Sequence, residues 1–232
     1  MEPSTPANVL IVCGLKREAA IMGGLGRTTL CGDAPTLRAR LAEAASRRPS
    51  LVVSWGLCGG LDPRLRPGDL ILGSEVVSDE GAVRADEAVT SSLAQRLGGA
   101  GARVFVGRLA ASDAPVLTAA AKAELRCATG AAAVDMESLI AGRFALELRI
   151  PFAILRAVAD PAERNLPPLV LKAVDSDGGI SVQAVIGELI RSPGQLAGLS
   201  AAACDSRTAF QALNRCRGLL PGLFLGLGSA NV

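Results

Sequence analysis

Residues 131–138 have the sequence Ala-Ala-Ala-Val-Asp-Met-Glu-Ser, in which a short apolar run ends in two carboxylates, Asp135 and Glu137. A second apolar run at 152–160 ends in Asp160. Open α/β sheets keep their ligand sites at the carboxyl ends of buried strands. The two runs therefore predict buried strands that carry acids into a site. The structural alternative is that Asp135 caps a helix and Glu137 lies in its first turn, where the helix dipole favours acids.

Strand-like and helix-like patterns alternate along the rest of the chain. This alternation predicts an α/β fold, a three-layer αβα arrangement with a twisted, mostly parallel mixed sheet and helices on both faces. We expect a catalytic domain at 1–193 and a helical, apolar C-terminal extension at 194–232 that packs on it. Strands are predicted at 8–13, 51–54, 69–72, 103–110, 131–134 and 151–158, and helices at 35–48, 86–97, 118–127, 135–148, 182–191 and 196–217.

The composition excludes several kinds of site. The chain of 232 residues is 50 % hydrophobic, enough for a large core, and contains no His. Acid–base chemistry must therefore use Asp, Glu, Lys, Arg or Cys, and His triads and His metal ligands are excluded. A net charge of +2 argues against nucleic-acid binding. Six Cys without a CxxC pair indicate reduced thiols rather than a disulfide framework or a zinc site.

The sequence shows no pattern typical of a signal peptide or of a membrane-spanning helix. The N-terminus lacks the basic region of a signal peptide, and no apolar run is long enough to span a bilayer. We therefore expect a cytoplasmic protein, and we expect neither a metal nor an organic cofactor.

A glycine-rich stretch at 56–60 follows a predicted strand, and we expect a turn there that lets the backbone approach a ligand closely. A dinucleotide fingerprint needs three spaced glycines that open a helix. Pro63 and Pro67 forbid a long helix directly after this stretch, and the chain returns to a strand at 69. A dinucleotide cofactor is therefore not expected here.

Four separated motifs occur in an order that resembles the superfamily of purine nucleoside phosphorylases and methylthioadenosine/adenosylhomocysteine nucleosidases. The resemblance covers roughly residues 8–191. A narrower resemblance, to the hopanoid-associated phosphorylases thought to remove adenine from adenosylhopane, rests on the runs 60–69, 160–162 and 166–168. The four motifs are Gly14 with Glu18, the run 56–70, Asp-Met-Glu-Ser at 135–138 and Arg-Ala-Val-Ala-Asp at 156–160.

The resemblance implies cleavage of an N-glycosidic bond through an oxocarbenium-like ribose, with a purine as the leaving group. Asp160 matches the acid that protonates the purine near N7, and Glu18 matches the acid that activates or orients the attacking water. Glu137 matches the carboxylate that binds both ribose hydroxyls. Arg156 would either position Asp160 or form an ordinary salt bridge. The other implied substrate-binding residues are Asp135, Met136 (packed on the ribose), Gly59 and Val116, and the implied phosphate-binding residues are Gly14, Arg17 and Leu57.

Several positions depart from the superfamily's pattern. Leu57 and Ala159 stand where the nucleosidases have Ser, and Pro115 replaces an aromatic residue that stacks on the base. We therefore expect a pocket more apolar than is usual in the superfamily. Water and inorganic phosphate are both candidate nucleophiles, because Lys16 and Arg17 add positive charge where a phosphorylase would need it.

The implied substrate is a small-molecule purine nucleoside with a bulky apolar 5′ group, adenosylhopane, whose cleavage would belong to hopanoid biosynthesis. A methylthioadenosine or adenosylhomocysteine nucleosidase and a catalytically silent nucleoside-binding protein are the alternatives. We expect a homo-oligomer. The apolar segment from 196 onwards is interpreted either as a packing or oligomer contact, or as a surface for a lipid tail or for the inner membrane face.

Overall fold

The fold is a mixed sheet flanked by helices, seen in a computed structural model that describes residues 8–23, 28–168, 177–179 and 196–217. The helix expected at 182–191 lies outside the described residues. The strands are β1 (Val9–Cys13), β2 (Thr28–Cys31), β3 (Leu51–Gly60), β4 (Leu70–Ser78), β5 (Gly81–Arg84), β6 (Val104–Ala111), β7 (Ala133–Asp135) and β8 (Phe152–Asp160). The helices are α1 (Lys16–Met22), α2 (Ala34–Ala44, followed by a 3₁₀ turn at Ala45–Arg47), α3 (Glu87–Gly99), α4 (Ala119–Thr129), α5 (Ser138–Leu148) and α6 (Leu196–Arg217).

The sheet is mixed, as predicted, and part of it closes into a ring. β1 pairs in parallel with β2 and β3, β3 with β8, β4 with β6, and β6 with β7. The pairs β3–β7, β4–β5 and β4–β8 are antiparallel. The order β3–β8–β4–β6–β7 therefore returns to β3 through backbone hydrogen bonds, so β3 and β8 are covered on both edges.

Strand β8 lies at the centre of the fold, and all nine of its residues are buried. Its side chains alternate between two apolar clusters, with Leu155 in the cluster that includes α1, α3 and α6 and Ile154 in the cluster that includes α2 and α5. Alternation of this kind follows from the two-residue period of a strand. Helix α6 lies on β8 and buries Ala209, Phe210 and Leu213, so it is part of the main core.

The glycine-rich stretch is not the turn that the sequence predicts. Residues 56–60 continue β3 and pair with β8 and β7. Neighbouring side chains lie where a side chain at 56 or 59 would project: a Cβ on Gly56 would lie 2.6 Å from the Glu18 carboxyl carbon, and one on Gly59 would lie 3.2 Å from Val134 Cγ1. The prediction of a turn is wrong because it treated glycine as evidence of a local turn, whereas these glycines leave space for side chains that are distant in sequence.

Helix α5 starts at Ser138, three residues later than predicted, because Asp135 belongs to β7. The Oδ1 atom of Asp135 accepts a hydrogen bond of 3.3 Å from the N–H of Ser138. The Asp135 carboxylate therefore contacts the start of the helix, as the structural alternative expects, but the N-cap position is Glu137, which lies before the first turn and makes no capping hydrogen bond with its side chain.

The run 60–69, which carries the narrower resemblance, forms a tight loop held by two carboxylates. Asp62 accepts hydrogen bonds from the Arg64 side chain and, at 2.9 Å, from Arg126 in α4. The hydrogen bond from Arg64 is the main reason that the pKa of Asp62 is lowered to about 2. Asp69 accepts a hydrogen bond of 2.8 Å from the N–H of Arg66. This run therefore joins β3, α4 and β4.

Within the described ranges, no helix is both long enough and apolar enough to cross a membrane.

Candidate active site

Glu18, near the start of α1, is wholly buried and joins two parts of the backbone. Its Oε2 atom accepts hydrogen bonds from the N–H groups of Gly14 (3.0 Å) and Leu15 (2.9 Å), and Oε1 accepts one from Leu57 in β3 (2.8 Å). Burial raises the pKa of Glu18, while Arg156 and the three N–H donors oppose that rise. The carboxylate therefore fixes the loop after β1 against the glycine-rich part of β3.

Arg156, fully buried on β8, is the centre of a cluster of acids. Its Nε lies 2.7 Å from Asp135 Oδ2, and its Nη1 donates to Glu137 Oε2 at 3.0 Å and to the Leu57 carbonyl at 3.2 Å. Nη2 donates to Ser54 Oγ at 2.6 Å. Burial favours the neutral form, but the surrounding carboxylates raise the pKa of Arg156 above its ordinary value. The guanidinium group is therefore a permanent charge that organises these side chains.

Glu137 lies beside the loop after β1. A Cβ on Gly14 would overlap Glu137 Oε1, so a glycine is required at position 14 for this approach. Burial raises the pKa of Glu137 to about 7, with Arg156 opposing the rise and Asp135 adding to it. Near neutral pH the group can therefore exchange its proton, and its ionised form would accept hydrogen bonds from two hydroxyl groups.

Asp160 is at the end of β8, and its partner is not the one the sequence suggests. Arg156 does not contact it: of the two alternatives for Arg156, positioning of Asp160 is wrong and the salt bridge is found, because the guanidinium is engaged by Asp135 and Glu137. The carboxylate instead pairs, through Oδ2, with the ammonium group of Lys122 in α4. Burial raises the pKa of Asp160, and Lys122 opposes the rise.

Lys122 is the functional candidate that sequence reasoning missed. Its side chain is 1 % exposed, and besides Asp160 its Nζ donates to the carbonyls of Pro161 (2.9 Å) and Arg164 (3.1 Å). The three N–H donors of an ammonium group are thereby used. The only local signal is a single Lys in a run of alanines, 119–123, which helices also use on exposed faces.

The apolar residues expected in the site differ in their exposure. Met136, between the two acids of 135–137, is 38 % exposed, and Leu57 is half-buried. Val116 is half-buried and packs against a small cluster that includes Val134 of β7. Ala159 is buried next to Asp160. No hydroxyl is supplied at positions 57 and 159, as the sequence predicts.

The two basic residues considered for phosphate are engaged elsewhere. The ammonium group of Lys16 lies 3.7 Å from Asp177 Oδ2, and its side chain is 58 % exposed. The guanidinium of Arg17 lies 4.1 Å from the centre of the Phe210 ring in α6, a cation–π contact. The N–H groups of Gly14 and Leu57, also considered for phosphate, donate to Glu18.

Two of the three acids that the sequence singles out, Glu18 and Asp160, contact one short stretch of β3, and Glu137 is linked to the same stretch through Arg156. Glu18 and Arg156, the partner of Glu137, contact Leu57, and Asp160 lies against Gly59. Two residues along a strand span roughly 7 Å, which is the scale of a ribose and its attached base. The arrangement has Asp160 with Lys122 at one end, and Asp135 and Glu137 with Arg156 at the other.

Comparison with solved structures shows the same fold in nucleoside-cleaving enzymes. The chain is similar to a methylthioadenosine nucleosidase mutant of Helicobacter pylori with 5′-methylthioadenosine in its active site (TM-score 0.65, 12 % identity, 91 % of this chain and 98 % of that chain covered). It is also similar to the futalosine hydrolase of H. pylori (TM-score 0.63, 13 % identity, 90 % and 96 % covered). A third similar structure is the 5′-methylthioadenosine/S-adenosylhomocysteine nucleosidase of Neisseria meningitidis in complex with methylthio-immucillin-A (TM-score 0.60, 19 % identity, 90 % and 98 % covered).

A family model matches residues 10–191, the region that contains Glu18, the acid cluster around Arg156, and Asp160 with its lysine partner. The match covers most of the chain, and the folds of the similar structures agree with it. The protein is therefore an enzyme that belongs to the phosphorylase superfamily.

Proposed function

We propose that the enzyme cleaves the N-glycosidic bond of a purine nucleoside and uses water as the nucleophile. The observation that carries the proposal is the arrangement of Asp160 and Glu137 along β3, with Gly59 beside the first and Leu57 linked to the second through Arg156. A nucleoside bound along this stretch would have its base at Asp160 and its ribose at Glu137.

Each carboxylate has a chemical task in this proposal. As the bond between C1′ and N9 breaks, its electron pair passes to the purine, and Asp160 donates a proton to N7. Glu137 holds the 2′ and 3′ hydroxyls and balances the positive charge that develops on the sugar. Water adds to C1′ and gives up a proton, with Glu18 as the acceptor. General acid–base steps of this kind contribute about 10²–10⁴-fold each.

The choice of water over phosphate rests on Glu18. A dianion bound at the start of α1 would need the N–H groups of Gly14, Leu15 and Leu57, and these donate to the Glu18 carboxylate. Phosphate would also have to approach that buried carboxylate, and like charges repel strongly where water is excluded. Lys16 and Arg17 do not compensate, since they face Asp177 and Phe210.

For the 5′ group we propose an apolar substituent, with adenosylhopane as the candidate suggested by the sequence resemblance. Exposed Met136 and half-buried Leu57 support this assignment, because neither supplies a partner for a polar group. The similar structures suggest smaller candidates: 5′-methylthioadenosine, which is bound in one of them, and futalosine, which is named in another.

One experiment tests the proposal. The purified enzyme is incubated with adenosylhopane, 5′-methylthioadenosine, futalosine or adenosine, in each case with and without added inorganic phosphate. The free purine and the sugar products are then separated by chromatography. We expect purine release that is independent of phosphate, a free sugar rather than a sugar 1-phosphate, and the highest kcat/KM for the apolar 5′ substituent. A phosphorylated sugar would overturn the choice of water, and no purine from any substrate would overturn the activity.

A further inference from the structure

We propose that Lys122 is a positioning residue for the leaving-group acid: its ammonium group holds the Asp160 carboxyl group toward the purine and stabilises the carboxylate that remains once the proton has passed to N7. The inference rests on the proposed function, and it adds a residue that the sequence motifs do not contain.

The geometry is that of a built site rather than a chance contact. Lys122 lies on α4, 38 residues before Asp160, and its Nζ meets Oδ2 of that carboxylate and the carbonyls of Pro161 and Arg164. All three acceptors belong to the end of β8 and the loop that follows it. Burial of a lysine costs free energy unless the ammonium group is paired and hydrogen-bonded, and here both conditions are met.

The arrangement leaves one side of the carboxyl group for the substrate. Lys122 contacts Oδ2, whereas no hydrogen bond to Oδ1 is found within the part of the chain that the structure describes. Oδ1 faces Gly59, which has no side chain, and a Cβ built there would lie 3.5 Å from it, in ordinary van der Waals contact. Lys122 therefore fixes the rotation of the carboxyl group through one oxygen and leaves the other for a proton donated to N7.

The charge of Lys122 acts during the reaction as well as before it. Asp160 donates its proton while the bond from C1′ to N9 breaks, so the acid changes from a neutral group to an anion in a buried position. An ammonium group in contact with that anion stabilises it, in the same way as preorganised groups stabilise charge that develops in a transition state. Without the lysine, the carboxylate would be left buried and unpaired.

Other charged groups face Asp160 and must be considered in any titration. Asp205 of α6 raises the pKa of Asp160, while Arg164, in the loop after β8, lowers it. Arg164 and Asp205 form an ion pair of 2.8 Å with each other, so their effects oppose one another. The thiol of Cys58 in β3 also interacts with Asp160, but burial raises the pKa of that thiol and keeps it neutral. Lys122 is left as the dominant charged partner.

The test uses Lys122→Met and Lys122→Arg, with Arg126→Met as the matched control. Arg126 lies one turn further along α4 and pairs with Asp62, so the control removes a cation and an ion pair from the same helix without touching Asp160. The first readout is the pH profile of kcat/KM. In Lys122→Met we expect the rate on the plateau to fall by roughly tenfold or more, within the range that general acids supply, and the alkaline limb to move to higher pH. Lys122→Arg should restore the limb, and the control should leave it unchanged.

The second readout does not need activity. In protein labelled with ¹³C at the Asp carboxyl carbons, the Asp160 resonance is assigned by its loss in Asp160→Asn, and its titration midpoint should rise in Lys122→Met and stay unchanged in the control. If Lys122→Met fails to fold, Lys122→Gln, which keeps a hydrogen-bond donor but no charge, takes its place. An unchanged midpoint in either uncharged variant would overturn the proposal. A parent enzyme without activity but with a shifted midpoint would instead contradict the proposed function and leave the pairing established.

Discussion

The carboxylate of Glu18 in α1 and the backbone N–H of Leu57 in β3 are joined by a hydrogen bond of 2.8 Å. Because the same carboxylate accepts the N–H groups of Gly14 and Leu15, it closes the start of α1 against the strand that carries the site. Glu18 is therefore both a structural clamp and the candidate proton acceptor for water, and a test must separate the two roles.

Gly56→Ala should disrupt this clamp. The residue has φ of +145°, and a Cβ would lie 2.6 Å from the Glu18 carboxyl carbon. We expect a loss of roughly 1–3 kcal/mol in the free energy of unfolding from backbone strain, together with lower activity. Gly98→Ala is the control, because a Cβ there meets nothing within 4 Å in helix α3; it should raise the free energy of unfolding by about 0.5–1 kcal/mol. Urea denaturation measures both, and equal effects would contradict the clamp.

Asp160→Asn should remove the leaving-group acid while keeping its size. Asparagine cannot donate a carboxyl proton, so kcat should fall by about 10²–10⁴-fold. The matched control is Asp79→Asn in the exposed turn between β4 and β5, which should keep parental kinetics. Activity of Asp160→Asn within a few-fold of the parent would rule out the role assigned to this residue.

Glu137→Gln should weaken the grip on the sugar. Loss of a charged hydrogen-bond partner costs on the order of 1.5–3 kcal/mol, so kcat/KM for ribosides should drop strongly and that for 2′,3′-dideoxy analogues little. Glu147→Gln, exposed near the end of α5, is the control. Equal losses on both substrate classes would show that Glu137 holds the structure rather than the hydroxyls.

The same residue should make stability depend on pH. Its pKa is raised by burial to about 7, above that of the unfolded chain, so the folded state binds the proton more tightly. This tighter proton binding contributes its full share to the free energy of unfolding below the unfolded pKa near 4.5, and the contribution is lost as the pH rises through about 7. Each unit by which the pKa differs between the folded and the unfolded state changes the free energy of unfolding by ~1.4 kcal/mol. The parent should therefore lose stability between these pH values, and Glu137→Gln should lose less. Parallel pH curves for the two proteins would contradict the shift.

Helix α6 should be needed for folding. Leu213 and Ala209 are fully buried against the core that includes β8. Leu213→Ala should therefore lower the free energy of unfolding by about 2–5 kcal/mol, whereas exposed Arg207→Ala should change it by no more than about 0.5 kcal/mol. A chain truncated after residue 193 should fail to fold. If it instead folds and loses activity only on a lipid-linked nucleoside, the tail serves the substrate.

The sequence predicts those parts of the fold and of the candidate site that depend on local pattern. Apolar runs identify β1, β7 and β8, and the acids that follow them are found near one another. Lys122 could not be predicted, because its pairing depends on the contact between α4 and the end of β8. The choice between the two alternatives for Arg156 stayed open for the same reason, because the sequence of one strand does not reveal which neighbouring elements supply the carboxylates that pair with it.

The glycines of β3 also show that a prediction from local sequence cannot include contacts with residues that are distant in sequence. Position 56 requires glycine because Glu18, 38 positions earlier, occupies the space beside it. The glycine-rich stretch on its own predicts a turn, because the local sequence contains no information about that distant carboxylate. The short elements β2 and β5 and helix α1 were missed because their apolar patterns are too brief to stand out.

Ring closure in the sheet has a consequence for how the chain folds. β8 pairs with β3 across 100 residues, as Val52 opposite Phe152 shows, and it pairs with β4 on its other edge. Contacts between residues so far apart in sequence form slowly, because the loop entropy is lost before the contacts are gained. We expect folding on a scale of seconds rather than milliseconds, with edges of β3 and β4 exposed until β8 inserts. The nascent chain would then need protection from aggregation until β8, which ends at Asp160, has left the ribosome. The strand that completes the sheet therefore also brings Asp160 into the site.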